Sequence, residues 1–457
     1  ELAPHVASGA LLFFSWHEQR LILNYLLHHA YSLSDETLVL STLFKAAHCP
    51  MEGKRRGLIP VVSSVISVEG EDVPWVLGWS LDELSLAAMV DGVMEPIPFQ
   101  IDQYNTGGAI YFEGWHIPMS GSPNLMDGTD KILFLFKDAG PRLDPRVPFD
   151  GEMVAEVVTR DRDGVERFVY VVRNSRLRSE EQYVRYSAEL GLVETDFYSL
   201  RYNKKNHLQW DDFSYVNYVG ERPLDSMKLR LNTGILTSVT DTELNNNQMI
   251  ALPTGEIIGP IRTTTQLDFN LYLFGVSILQ LSMQIHHYPK SIMYDVRGII
   301  PELRRKLLVD PSLTMSLDAN RLLGAETRTS AWPDKFGTVD GVVDDNELEM
   351  IEAGLDPANN WLWVTSKRNL DILAFVDYLG DFNEPMALLY KDDLEKYEPP
   401  EVFPGQMPNV GYGITSFPMT GFIGFVVSLF VSDGYEGNPN EFAPYARTLP
   451  DLEVRAM

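Results

Sequence analysis

Acidic side chains recur at short spacing near the middle of the carboxy-terminal third of the chain, at Asp340, Asp344 and Glu347. A turn glycine, an aliphatic residue two places later and a closing glutamate form the second half of a helix-loop-helix calcium loop. This pattern predicts a calcium site made of the three carboxylates, although Phe336 and Thr338 stand where the first two ligands belong. The alternative is an acidic turn that caps a helix starting near Glu347.

A histidine pair, His286 and His287, lies on a strand-like alternating segment. Strand alternation puts His286 on the polar face of this strand and His287 on the core side. A turn then returns the chain with Tyr294 and Arg297 beside the pair. These residues predict a cleft in which His286 acts as a general base, helped by Tyr294 or Arg297. The alternative is a hydrogen-bonded histidine without a catalytic role.

Three tryptophans are candidate ligand-binding residues. Trp361 and Trp363 are two positions apart and so share one face of a strand, and Trp115 follows a glycine turn at residues 107–108. Exposed aromatic rings stack on sugar rings, whereas buried rings fill a core. Both readings fit the spacing.

Composition excludes several classes of function. The 64 acidic and 37 basic residues give a net charge of −27, which would repel a phosphate backbone and disfavours nucleic acid as a partner. The single cysteine excludes an internal disulfide framework and the common structural zinc sites. The sequence has no nucleophile elbow, phosphate-binding glycine loop or metalloprotease helix motif.

Periodicity and turn signals predict an all-β fold of two antiparallel β-sandwich domains, the second one large, after a short helical segment. The predicted boundaries are 1–58 for the helical segment, 59–175 for the first sandwich, 176–330 for the larger sandwich and 331–457 for a β-rich carboxy-terminal part with the acidic loop. Asp91-Gly92 is predicted to turn one hairpin, and residues 153–172 a second. The apolar run 421–431 is predicted to be a buried strand, because a membrane helix needs about 20 residues; no transmembrane segment is expected.

A resemblance to a known group rests on two stretches. One is Glu95-Pro-Ile-Pro-Phe-Gln-Ile-Asp102, followed by the acidic strand from Gly128 to Gly140, and the other is Gly259-Pro-Ile-Arg262. Together they resemble secreted bacterial β-sandwich proteins of unknown function that are associated with polysaccharide-degrading systems. The resemblance implies a second domain similar to galactose mutarotases and a periplasmic or extracellular location. It brings no catalytic residue with it.

Two functions follow from these observations. The first is a secreted or periplasmic module that binds a glycan or a protein partner, with no cofactor other than calcium. The second is a polysaccharide lyase or glycoside hydrolase that uses His286. Glycan binding without product release would favour the first function, and turnover lost on His286→Ala would favour the second.

Overall fold

The computed structural model describes residues 65–457, except for 115–116, 150, 162, 236, 274–275, 301, 419–420, 435–436 and 448–449. The predicted helical segment 1–58 and Trp115 therefore lie outside the described residues. Within the described ranges, no helix is both long and apolar enough to cross a membrane.

The described residues fold mainly into β-strands. The first strands are β1 (Val65–Glu69), β2 (Leu84–Val90), β3 (Val93–Pro96), β4 (Phe99–Asp102), β5 (Lys131–Leu135), β6 (Glu152–Arg160), β7 (Glu166–Arg173), β8 (Val184–Ser187) and β9 (Leu192–Thr195). Those that follow are β10 (Tyr198–Asn203), β11 (Asn206–Tyr215), β12 (Leu224–Ile235), β13 (Thr237–Asn245), β14 (Pro253–Ile258), β15 (Thr263–Leu273), β16 (Val276–His287) and β17 (Ser291–Ile300). The last are β18 (Leu308–Ala319), β19 (Glu326–Thr329), β20 (Trp332–Thr338), β21 (Leu362–Thr365), β22 (Asp371–Tyr378), β23 (Met386–Asp393), β24 (Gln406–Ile414), β25 (Gly421–Ser432) and β26 (Asp451–Ala456).

Helices are short and lie between strands. The α-helices are α1 (Glu302–Arg305), α2 (Asp345–Ala353) and α3 (Pro439–Arg447), and single 3-10 turns span Gly70–Asp72, Pro74–Val76, Leu81–Glu83 and Phe136–Asp138. Every strand pair among the described residues is antiparallel. The prediction of an all-β antiparallel fold is confirmed.

The first sandwich packs a three-stranded sheet, in the order β1-β5-β4, against a five-stranded sheet, in the order β26-β6-β7-β2-β3. Both predicted hairpins are present, as β2-β3 and β6-β7. Asp91 and Gly92 turn the first of them with φ values of 49° and 85°, which favours glycine and Asp at this tight turn. The last strand of the chain, β26, pairs with β6 of this sandwich.

The larger sandwich is built on a nine-stranded sheet in the order β14-β15-β16-β17-β25-β22-β21-β19-β20. One face packs on a five-stranded sheet (β13-β12-β18-β24-β23) and on a four-stranded sheet (β11-β10-β9-β8), around a single apolar core. The run predicted as a buried strand is β25, which lies between β17 and β22. Strands from before and after residue 330 lie together in the nine-stranded sheet and in the five-stranded sheet that packs on it. The domain boundaries proposed from the sequence stay predictions.

Two buried histidines lie where the four-stranded sheet packs on the nine-stranded sheet, His207 on β11 and His287 on β16. The tyrosine hydroxyls of Tyr198 and Tyr202 contact the two ring nitrogens of His287, at 3.2 and 2.9 Å. His207 stacks on Tyr202, and neither of its ring nitrogens has a hydrogen-bond partner. Burial lowers the pKa of His287 to about 3 and that of His207 to about 4, so both rings are neutral in the folded protein.

Acid should therefore destabilise the fold through these rings. Because the unfolded histidine has a pKa near 6.5, the unfolded state binds more protons below that pH. The stability contribution is complete above about pH 6.5 and is lost as pH falls towards about 4. His207→Phe should keep the stacking on Tyr202. It should also reduce the slope of unfolding free energy against pH by the amount that corresponds to about one bound proton. Urea unfolding from about pH 7 to 4.5 measures this slope.

His287→Phe is the control, because it removes the hydrogen bonds to both tyrosines and should destabilise the protein at every pH. An unchanged slope in His207→Phe would show that His207 is not a neutral buried ring.

The interior strand β24 shows how closely the strands of the β13-β12-β18-β24-β23 sheet are packed. A methyl group at Gly411 would lie 2.0 Å from the carbonyl oxygen of Met315 and 2.4 Å from Cα of Ser316, which are backbone atoms of the neighbouring strand. At Gly413 the nearest atoms are side-chain methyls 3.6 Å away. We expect Gly411→Ala to cost at least about 1–3 kcal/mol of unfolding free energy and Gly413→Ala much less. Equal losses in urea unfolding would contradict this packing.

Candidate functional site

The nine-stranded sheet turns one face away from the apolar core, and we call it the polar face. Strand alternation places every second residue of the central strands there, opposite the buried Leu281, Met283, Tyr294 and Val427. Cross-strand register shows which side chains are neighbours on it. They are Thr264, Gln266 and Asp268 of β15, Ser282, Gln284 and His286 of β16, and Met293, Asp295 and Arg297 of β17.

A buried ion pair joins the polar face to the first sandwich. Arg262, just before β15, donates from Nη2 and Nε to Asp102 Oδ2 at 2.6 and 2.9 Å. Gln100 donates to both oxygens of the same carboxylate, and its Oε1 accepts from the backbone N–H groups of Ile261 and Arg262. The side chains of Arg262 and Asp102 are only 5% and 2% exposed. The resemblance motifs Gln100-x-Asp102 and Arg262 are therefore in direct contact.

The segment 103–114, which follows Asp102, lies over the middle of the polar face. Gln284 accepts from the N–H of Ile110 at 3.1 Å and donates to its carbonyl at 2.7 Å. Arg297 donates to the carbonyl oxygens of Gly107 and Gly108, the second at 2.9 Å. This segment thereby fixes Gln284 and Arg297.

His286 is enclosed on this face. It is 7% exposed, and its Nδ1 lies 3.0 Å from the hydroxyl of Thr264. Burial, followed by the positive charge of Arg262, lowers the pKa of His286 well below its usual value, so the ring is neutral. The geometry is that of a hydrogen-bonded, buried histidine.

The predicted catalytic residues His286, Tyr294 and Arg297 do not form one cluster. Tyr294 points into the core, on the other side of the sheet, where it lines an apolar cavity of about 60 Å³. Arg297 shares the polar face with His286, but the register places it level with Ser282. Four residues along a strand correspond to about 13 Å.

The predicted tryptophan platform is part of a core. Trp361 and Trp363 are each 4% exposed, and helix α3 covers them. The ring of Phe442 lies 5.5 Å from that of Trp363, whose Nε1 donates to Asp371 at 3.1 Å. In the structure, these two tryptophans are therefore core residues.

The acidic turn caps helix α2. Asp344 Oδ1 accepts from the N–H of Glu347 at 2.9 Å, and Glu347 Oε2 accepts from the N–H of Asp344 at 3.1 Å, which is a capping box. Tyr390 donates to the other oxygen of Glu347, and burial raises the pKa of this carboxyl to about 7. Asp340 accepts from the N–H of Val342. The carboxylates of Asp340, Asp344 and Glu347 thus act within the turn, and calcium binding stays a prediction.

An open strip of the polar face follows strand β25, and we call Phe422, Gly424 and Val426 together the β25 strip. Phe422 is 39% exposed, and its cross-strand neighbour Ile299 is 65% exposed. The strip lies between segment 103–114, held by Arg297, and helix α3, which covers Phe375 and Trp363. It carries an aromatic ring that is accessible to solvent.

The ring of Phe422 lies across Gly424. A methyl group at Gly424 would lie 2.2 Å from Cε1 of this ring, so the ring occupies the space that a side chain would fill. A methyl group at Gly380 would lie 3.7 Å from the same ring. Phe422 thus contacts the sheet with one part of its surface and leaves another part accessible.

Two Arg–Asp pairs flank the strip. Asp295 and Asp377 are the cross-strand neighbours of Val426 on its two sides. Arg297 donates to both oxygens of Asp295 at 2.7 and 2.8 Å, and Arg447 of α3 pairs with Asp377. The Asp377 and Arg447 side chains are 44% and 40% exposed. An aromatic surface between hydrogen-bonding groups of both signs suits a ring with an apolar face and polar edges.

Sequence reasoning missed Phe422, Asp295, Asp377 and Arg447. The run 421–431 is apolar at nearly every position, so periodicity cannot tell which face is exposed. Only the pairing of β25 with β17 and β22 puts the two Asp residues beside it.

Comparison with known proteins leaves the family open. Neither a protein-family model nor a curated protein matches the sequence. An α-mannosidase structure from Enterococcus faecalis aligns with 89% of this chain at 9% identity and a TM-score of 0.45, and this chain covers 45% of it. A candidate mutarotase from Salmonella typhimurium aligns with 53% of this chain and 90% of its own at 7% identity and a TM-score of 0.31. Because both TM-scores are below 0.5, the membership predicted from the sequence stays a prediction.

The Arg262–Asp102 pair should be essential for stability. Asp102→Asn leaves a buried guanidinium without its counter-charge, which costs about 3–5 kcal/mol in comparable pairs. The control is Asp144→Asn, whose partner Arg146 is 89% exposed, and which should not change the unfolding free energy measurably. Urea unfolding of both variants measures the difference. Equal stabilities would show that the buried pair contributes no more than an exposed one.

Proposed function

We propose that the protein is a secreted or periplasmic module that binds a neutral glycan on the β25 strip. The observation that carries the proposal is the 39% exposed ring of Phe422, which occupies the space over Gly424 beside two Arg–Asp pairs. The apolar face of a sugar ring can stack on Phe422, while its hydroxyl groups bond to charged groups at the edges. The location outside the cytoplasm rests on the sequence resemblance.

The charges favour a neutral ligand over an acidic one. Asp295 and Asp377 lie on opposite sides of the strip, and the arginines beside them are already paired with these carboxylates. The whole chain carries a net charge of −27, which repels uronic acids and sulfated sugars before they reach the strip. Hydroxyl groups, which both donate and accept, suit the paired charges better.

Binding is better supported than catalysis. A glycosidase needs one protonated carboxyl to donate a proton to the leaving group. Both carboxylates on this strip are ion-paired with arginine, which favours the acceptor role. His286 is buried, with its Nδ1 3.0 Å from the hydroxyl of Thr264, and is not part of the strip, so it gives no general base there.

Removing the Phe422 ring should weaken glycan binding. A neutral oligosaccharide selected on a glycan array would be titrated calorimetrically into the wild type and Phe422→Ala. We expect at least about a tenfold loss of affinity, because a stacked aromatic ring is the typical energetic centre of such a contact. Phe336→Ala is the matched control, because Phe336 is also 39% exposed but lies on β20.

Equal loss in both variants would point to a general effect on the fold. An array without any bound neutral glycan, or a ligand whose affinity is unchanged in Phe422→Ala, would overturn the proposal.

A further inference from the structure

A second polar cluster lies on the outer side of the five-stranded sheet, remote in sequence from the β25 strip. Lys228 of β12 is 1% exposed, and its Nζ lies 2.5 Å from Asp318 Oδ2 and 2.9 Å from Glu401 Oε2. It also donates to the carbonyl oxygen of Glu398 and to Gln406 Oε1. The ammonium group thus occupies the centre of the acidic cluster, where a metal ion would otherwise have to lie.

This cluster holds the segment 394–405 against the sheet. Arg230 donates to the carbonyl oxygen of Pro399, and Asp225 accepts from the N–H groups of Val402 and Phe403. Together with Lys228, these side chains hold the backbone of the segment at four residues, Glu398, Pro399, Val402 and Phe403. We call the arrangement the clasp.

Two acceptor atoms in the clasp have no donor. They are Oδ1 of Asp318 and Oδ1 of Asn409, and both residues are at most 1% exposed. The network fixes the orientation of the amides. Gln406 Nε2 donates to Asp318 Oδ2 and Glu401, so its Oε1 faces Lys228 and must accept from Asn409 Nδ2 at 2.6 Å. The Oδ1 of Asn409 is therefore left as an acceptor.

Asp318 and Asn409 are directly opposite each other on β18 and β24. Opposite side chains of an antiparallel pair lie on one face with Cβ atoms about 5 Å apart. Two buried acceptors at that spacing, each without a donor, would repel each other. A single proton on one of them would turn the repulsion into a hydrogen bond.

The charges of the clasp also require one proton. The groups that face Asp318 are Lys228 and Asp225 of β12, Arg230 of the same strand, and Glu401 of the segment. Three carboxylates against two cations leave one excess negative charge in a dry site. Glu243, which pairs with Arg230 at 3.4 Å, and Arg222, which acts on Asp225, have opposite charges and leave this balance unchanged. Glu398 does not change this balance, because Lys391 and Lys396 pair with its carboxylate.

We propose that Asp318 is protonated in the folded protein at neutral pH and that its O–H donates to Asn409 Oδ1. The clasp is then a neutral set of two cations, two carboxylates and one carboxylic acid. Burial raises the pKa of Asp318 to about 8, even against the attraction of Lys228, which agrees with this protonation state.

The proton makes the clasp sensitive to alkaline pH. Asp318 has a higher pKa in the folded than in the unfolded state, so folding takes up a proton between the two values. Its stabilising contribution is complete below about pH 4 and is lost as pH rises to about 8. Above that pH, the excess negative charge should loosen the segment 394–405.

The test compares two isosteric substitutions beside the same lysine. Asp318→Asn keeps a donor towards Asn409 and should fold with at least the wild-type stability at about pH 8. Glu401→Gln replaces a carboxylate that only accepts hydrogen bonds from Lys228, Gln406 and the N–H of Glu398, and should be strongly destabilised. Urea unfolding at about pH 6 to 9 measures both.

Hydrogen exchange at Val402 and Phe403 gives a second measurement. In the wild type the exchange of these amides should accelerate between about pH 7 and 9 beyond the intrinsic increase, and in Asp318→Asn this excess should disappear. An Asp318→Asn variant that fails to fold, or that is destabilised as much as Glu401→Gln, would overturn the proposal, because it would mean that Asp318 is an ionised partner of Lys228. An unchanged excess in the variant would do the same.

Discussion

The contact between Arg262 and Asp102 fixes how the first sandwich sits on the large sheet. Removing two charges from water is costly, and such a pair forms only where further hydrogen bonds satisfy the remaining donors and acceptors. Gln100 supplies these on the carboxylate side, and the hydroxyl of Tyr104 accepts from Arg262 on the other. Since the geometry is determined by at least four groups, the two sandwiches have one relative orientation. Everything on the polar face depends on that orientation.

The segment after Asp102 shows this dependence. It leaves β4 at the ion pair and must cross the polar face to reach β5, which belongs to the same small sheet. The backbone of Ile110 in this segment is hydrogen-bonded to Gln284, and the carbonyl oxygens of its glycines accept from Arg297. The arginine is thereby held against Asp295, and the strand beyond it is left uncovered. The accessible part of the large sheet is thus defined by a contact made in the other sandwich.

Local signals allowed the fold class and both early hairpins to be predicted, because Asp91-Gly92 and the alternation from 153 to 172 act over a few residues. Gln100, Asp102 and Arg262 were also visible as motifs, but a contact between residues 160 apart leaves no local trace. The face of Tyr294 depends on the register across the preceding turn. His286 pairs with Met293, and a shift by one residue would have moved Tyr294 to the polar face.

The β25 strip could be found only from the residues that pack around each side chain of the strand. Phe422 and Phe425 have the same residue type on one strand, yet the first is 39% and the second 3% exposed. They differ in their surroundings. Phe422 has Gly424 and Ile299 as neighbours on the polar face, whereas Phe425 lies in the closed core. Gly424 matters because any side chain there would meet the aromatic ring, which would have to turn away from the sheet and lose its support. A flat aromatic surface at this point therefore requires the glycine and the phenylalanine together, and neither residue alone would have indicated it.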